Sequence, residues 1–91
     1  MGNAAGLKAL QVLANAERSL AIELLAGAQA VEFLAPLEPG RGVAAARAHI
    51  RTLSERLLED RSLSADIERV ATSIRTGSVL LAVEGACGGL L

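Results

Sequence analysis

His49 and Cys87 are the single histidine and single cysteine of the 91 residues, and tyrosine and tryptophan are absent. Those side chains carry much of the general-base and nucleophilic chemistry available near neutral pH, so the catalytic inventory is thin. A lone histidine on a helix reads as a surface residue or a satisfied packing residue. No second His or Cys stands at ligand spacing, which argues against a zinc site. Glu17 and Glu23 are six residues apart and Glu32 lies nine further on, a spacing without Glu-x-x-His pairs. A di-iron bundle needs those pairs. Neither Gly40-Arg41-Gly42 nor the Gly85 to Gly89 stretch follows a strand-like segment, so a phosphate-cradling loop lacks its context. Asp60 and Arg61 with Asp66 form a charge constellation suited to an ion-pair or capping cluster that locks a helix junction. No set of residues here supports a reaction alone.

Composition sets the frame for these residues. The chain holds 18 Ala and 16 Leu, both strong helix formers, and its one aromatic residue is Phe33. Strands favour Val, Ile, Thr and aromatics, so an all-α chain is expected and a β-sandwich or barrel is excluded. Nine basic against ten acidic side chains leave a net charge of −1. A nucleic-acid binder of this size would show a basic excess and stacking aromatics, so no nucleic-acid partner is expected. A lone Cys87 allows no internal disulfide and reads as an incidental thiol. Residues 19–35 are apolar, but Glu23, Gln29 and Glu32 interrupt them. A charge near a bilayer centre costs about 2.5–3.5 kcal/mol, so no membrane partner is expected. Met1 to Leu10 lacks the apolar run of a signal peptide. A soluble, cytoplasmic protein is the expectation.

The elements follow from spacing. From Ala4 to Leu34 there is no proline, and Leu7, Leu10, Ala14, Glu17, Ala21, Leu24, Ala28 and Val31 recur three or four residues apart. This is a heptad-like seam on one long helix, about 4–34. A second seam runs through Leu13, Leu20, Gly27 and Leu34, so Leu10, Leu20, Leu24 and Val31 are candidate core or interface residues. Ala35-Pro36 ends that helix. Val43, Ala46, Ile50, Leu53 and Leu57 mark a second helix, about 42–58, and Arg47, Arg51, Glu55 and Glu59 form a charged stripe read as its solvated face. Ser64 is the expected N-cap of a third helix, about 65–76, with Asp66 and Glu68 complementing the helix dipole. Arg75 falls in its last turn and Gly77 suits the left-handed terminating position. Ser78 is the expected cap of a short last helix, about 79–84, before a glycine-rich tail, 85–91, expected to fray. Residues 1–84 then make one helical domain. A helix of thirty residues is about 45 Å long, whereas a compact globule of this length has a radius of gyration of about 12 Å. The first helix should overhang its own domain and expose an apolar surface, the mark of an interface.

Three segments carry a family resemblance. Glu17-Arg18-Ser19-Leu20-Ala21-Ile22-Glu23-Leu24-Leu25-Ala26-Gly27-Ala28-Gln29-Ala30 resembles the long helix in the C-terminal half of the histidine and aromatic amino-acid ammonia-lyases. Glu59-Asp60-Arg61-Ser62-Leu63-Ser64-Ala65-Asp66-Ile67-Glu68 is similar to that family's E-D-R-x-L-x-x-D-I-E segment, and Arg75-Thr76-Gly77-Ser78-Val79 to the R-S-G-A-L/V stretch after it. Order and spacing agree over residues 1–84, and the nearest likeness is to bacterial histidine ammonia-lyases. The resemblance implies a tetramer built on a shared bundle of long helices. It also implies elimination of ammonia from an aromatic amino acid, with a methylidene-imidazolone made from an internal Ala-Ser-Gly. Met1-Gly2-Asn3 resembles the family's S-M-G, which follows an active-site glutamine/glutamate segment. The chain contains neither Ala-Ser-Gly nor any tyrosine. No catalytic, cofactor-binding or metal residue of the family therefore maps onto it, and its cofactor would belong to an upstream part.

The expected role is the C-terminal helical part of such a lyase, whether fragment, split-gene product or truncated relative. It would supply helix packing and oligomer contacts, to copies of itself or to a lyase body chain, and be inactive alone. The alternative is a free-standing helical assembly module without lyase activity. Alanine-rich seams favour close helix packing over a cavity for an apolar ligand.

Overall fold

The computed structural model describes residues 2–58 and 60–89. Met1 of the Met-Gly-Asn segment, Glu59 of the charged stripe and Leu90 and Leu91 of the tail lie outside them. Four helices follow in order: α1 (Gly2–Phe33), α2 (Arg41–Leu53), α3 (Ser64–Thr76) and α4 (Ser78–Cys87). Among the described residues there is no strand, as an alanine- and leucine-rich chain with one aromatic requires. α1 packs chiefly on α3, and α2 chiefly on α4. Ala21 and Ala28 of α1, Ile50 of α2, and Val70 and Ala71 of α3 form the buried core, with Leu24, Leu25, Leu53, Ile67, Ile74 and Val79 packed around it.

The heptad-like seam of α1 divides in two. Glu17, Ala21 and Ala28 are buried, and Ala14, Leu24 and Val31 are half-buried. Leu7 and Leu10 continue the same stripe into solvent, with Leu10 65% exposed. The 32-residue helix spans about 48 Å at its rise per residue. The molecule measures 55 × 37 × 17 Å with a radius of gyration of 15.1 Å, beyond the roughly 12 Å of a compact chain of this length. The expected overhang is present. The second seam is exposed throughout: Leu13, Leu20, Gly27 and Leu34 all face solvent. Of the four candidate core or interface residues, Leu24 and Val31 therefore line the domain, while Leu10 and Leu20 stand outside its core.

Several boundaries differ from expectation. α2 stops at Leu53, five residues before Leu58, because Ser54 turns to extended backbone at φ −147° and ψ 122°. Its amide still donates to the Ile50 carbonyl, at 2.9 Å. α3 starts at Ser64 itself, with Leu63 at the capping position and no side-chain cap; Ser78 is likewise the first residue of α4 rather than its cap. Gly77 does adopt the left-handed conformation, φ 82°, and joins the two helices. This is the region that glycine alone enters without steric cost. α4 runs on through Gly85-Ala86-Cys87, three residues past Glu84. The reason is packing: a Cβ placed at Gly42 of α2 would lie 3.1 Å from the Cys87 sulfur and 3.6 Å from Val83. The start of α2 thus holds the end of α4 at close range, and tertiary contact overrides the weak helix propensity of glycine.

Candidate functional site

The densest polar arrangement sits where α2 ends and α3 begins. Asp66, in the first turn of α3, is buried and only 3% exposed. Its Oδ2 accepts from the Ser54 hydroxyl at 2.5 Å and from Arg61 Nη1 at 2.8 Å. Its Oδ1 accepts from Arg69 Nη2. The Ser54 hydrogen bond, opposed by desolvation and helped by the Arg61 and Arg69 charges, holds the carboxyl below the ordinary aspartate range. Both guanidiniums are partly open to water, 37% and 51% exposed, so solvent screens those two pairs and the Ser54 bond dominates.

The same donors finish the end of α2. A helix leaves its last carbonyls without intrahelical partners, and here side chains supply one for Leu53 and for the carbonyls of the turn that follows. Arg69 Nε donates to the Leu53 carbonyl at 2.7 Å, Arg51 Nη1 to Ser54 O at 3.2 Å and Arg61 Nη2 to Glu55 O at 2.8 Å. Gln29 of α1 reaches Leu57 O at 3.1 Å. Three arginines at the C-terminal end of α2 also complement its dipole. Arg51 carries the network on to α1, donating to Glu32 Oε1 at 2.6 Å and Gln29 Oε1 at 3.2 Å. The stripe read as a solvated face is therefore corrected: Arg51 is half-buried and paired across helices, Arg47 is half-buried, and Glu55 lies beyond the end of α2. The ion-pair partner of Arg51 is Glu32 of α1 and not a neighbour on its own helix.

Of the three residues read as a junction lock, Arg61 and Asp66 come together. Asp60 is exposed and, among the described residues, joins no ion pair. Sequence reasoning missed Ser54 and Arg69, the other two partners of Asp66, because a partner across a turn leaves no periodic signal. It also missed the clamp between Glu17 and Arg75, whose Nη2 and Oε2 are 2.8 Å apart. The signal for that one was available: Glu17 is the single charged residue on a buried apolar seam, and such a residue requires a partner. His49 lies half-buried, 2.8 Å from the buried Ser73 hydroxyl, a satisfied packing histidine.

These groups do structural work. The polar side chains of the junction are spent on carbonyls and on each other, and the one Ser–His contact among the described residues, Ser73 with His49, has its hydroxyl buried. Cys87 is exposed. Among the described residues no group of three His, Cys, Asp or Glu could hold a metal ion, and no helix is long and apolar enough to cross a membrane.

The family model for aromatic amino acid lyases matches residues 1–52, more than half of the chain. The chain belongs to the aromatic amino acid lyase family. It is similar to the histidine ammonia-lyase of Sorangium cellulosum, 47% identical over 90 residues, which cover 99% of this chain and 18% of that protein. The histidine ammonia-lyases of Gloeobacter violaceus and Symbiobacterium thermophilum are 44% and 46% identical over 90 residues, again 99% of this chain and 18% of theirs. The chain thus spans about a fifth of the length of these curated lyases, and it matches their C-terminal part. No solved structure matches it. The resemblance to the ammonia-lyases is borne out over nearly the whole chain, and α1, the junction and the α3–α4 turn are where the three segments that carried it fall.

Proposed function

We propose that this chain forms the C-terminal helical part of a histidine ammonia-lyase, contributing helix packing and oligomer contacts rather than catalytic side chains. The observation that carries the reading is the match of nearly the whole chain to the C-terminal part of histidine ammonia-lyases. The exposed apolar stripe of α1 supports the contact role, since surfaces of this kind mark interfaces. The chain has no Ala-Ser-Gly and no tyrosine, so its own residues do not fit the family's methylidene-imidazolone, and no step of the elimination is assigned to it. Histidine as substrate, a cytoplasmic location, and copies of this chain or a lyase body as partner belong to the same proposal.

The test is complementation. A related histidine ammonia-lyase lacking the segment that matches this chain is co-expressed with the chain and assayed for complex formation and ammonia release from histidine. Restored release supports the reading; no complex and no release overturn it. The alternative, a free-standing assembly module, is favoured by the overhang of α1. It predicts a defined oligomer of the chain alone with no restored release, and a monodisperse monomer in light scattering removes it.

A further inference from the structure

A polar cleft of about 430 Å³ opens where α2 ends and α3 begins. Asp66 lines it, and Arg61 and Arg69 each grip a different oxygen of that carboxylate. Second acceptors fix both guanidiniums: Glu55 O takes Arg61 Nη2 at 2.8 Å, and Leu53 O takes Arg69 Nε at 2.7 Å. Those bonds do not exhaust the two side chains, since a guanidinium carries five N–H donors in a fixed fork. Arg61 Nε and Arg69 Nη1 have no acceptor among the described residues, and the side chains are 37% and 51% exposed. Two cations with spare donors therefore stand over one buried anion. Arg51, the third guanidinium on the lining, is committed to Glu32 and Gln29 of α1. Glu55 also lines the cleft; it is exposed, joins no ion pair among the described residues, and opposes an anion that enters.

We propose that this cleft is a binding site for a phosphate group, held by the spare donors of Arg61 and Arg69. Guanidinium forks match phosphate oxygens through paired, charge-assisted hydrogen bonds. A tetrahedral group offers oxygens to two guanidiniums at once, whereas a planar carboxylate fills a single fork. Near pH 7 a phosphate monoester also carries a charge of about −1.5 to −2, so it gains more than a carboxylate from the same cations. Gripping a ligand ordinarily costs arginine side chains their rotamer freedom, and preorganised groups avoid that cost. Here the bonds to Asp66 and to the Leu53 and Glu55 carbonyls have already fixed both side chains. The bound phosphate adds a tie between the end of α2 and the start of α3. Free phosphate ion and a phosphate monoester share this chemistry, and the cleft admits both. The inference stands apart from the oligomer-contact reading, because the cleft lies at the α2–α3 junction and not on the exposed stripe of α1.

The test is an NMR titration of the full 91-residue chain, following the amides of residues 53–69 and the arginine Nε–H signals. The probes are inorganic phosphate, methyl phosphate and, as the carboxylate control, acetate, each added at constant ionic strength. Saturable shifts confined to the junction are expected with the phosphates, and a second series at higher salt should show weaker binding. Arg69→Gln should weaken phosphate binding by about tenfold or more, through loss of one charge-assisted fork. Glu55→Gln should tighten it. Arg18→Gln, which removes an exposed arginine outside the cleft, should leave it unchanged. Circular dichroism accompanies each variant, and if Arg69→Gln loses helicity the Glu55→Gln comparison decides alone. Tighter binding of methyl phosphate assigns the site to a phosphate monoester, and tighter binding of inorganic phosphate assigns it to the free ion. The site is overturned by the absence of saturable shifts, by acetate binding as tightly as phosphate, by a folded Arg69→Gln that binds as wild type does, or by a Glu55→Gln that binds no tighter.

Discussion

Replacing Asp66 by alanine should destabilise the chain far more than loss of a first-turn acid from an exposed helix start. A surface charge–dipole contact is worth about 0.3–1 kcal/mol. Here the carboxylate is buried and receives Ser54, Arg61 and Arg69. The Ser54 bond to a charged acceptor contributes about 1.5–3 kcal/mol. The two solvent-screened guanidinium pairs add about 0.2–1 kcal/mol each. The expected loss is therefore about 2–5 kcal/mol, a large fraction of the 5–15 kcal/mol typical of a whole domain. Asp66→Asn keeps an acceptor and should cost less than Asp66→Ala. The pH dependence has a definite sign. The native carboxyl titrates below its ordinary value of 3.8, so its contribution is fully present above the unfolded carboxylate range. It disappears as pH falls through the lower native value. Urea unfolding followed by circular dichroism at pH 7 and at about pH 3 measures both effects. Wild type should lose more stability than Asp66→Asn between those two conditions. A double-mutant cycle with Ser54→Ala should show coupling of about 0.5–3 kcal/mol. A cost below about 1 kcal/mol for Asp66→Ala at pH 7, or identical acid sensitivity of wild type and Asp66→Asn, refutes the hub.

Three further outcomes follow from burial. Ile50→Ala, at a site 1% exposed, should cost about 2–5 kcal/mol in the same urea assay, while Leu10→Ala should leave a monomer's unfolding within about 0.5 kcal/mol. Glu17 and Arg75 should behave asymmetrically: their side chains are 9% and 58% exposed, so Arg75→Ala strands a buried carboxylate and should lower the midpoint of thermal unfolding more than Glu17→Ala does. At Gly42 the nearest neighbour is the end of the exposed Cys87 side chain, so Gly42→Ala should be close to neutral. Gly42→Leu should lose about 1–3 kcal/mol by overpacking α2 against α4, and equal stability of the two variants refutes the close approach.

Much of the helical layout was legible because its signals are local. The seam of α1, Pro36 after its end, and Arg75 with Gly77 at the end of α3 each act through neighbours a few residues away. The end of α2 was illegible for the same reason. Ile50, Leu53 and Leu57 keep helical spacing, yet the chain leaves the helix at Ser54, where donors from Arg69, Arg51, Arg61 and Gln29 take the carbonyls of Leu53, Ser54, Glu55 and Leu57 individually. The glycine at 85 marked a stop by propensity, and packing of α4 on α2 carried the helix past it.

Composition and short-range spacing suffice for the helical class, the overlong first helix and the family, and the 91 residues hold no Ala-Ser-Gly and no tyrosine. Which charges are buried and paired, and which among the described residues have no ion-pair partner, follows from the tertiary packing alone. Asp66 with its three donors, Arg51 crossing to Glu32, and Arg47 with its sealed, unpaired Nε depend on how four helices meet. That meeting is set by long-range packing in a molecule 17 Å thick, where half a turn of helix rotation moves a side chain from core to water.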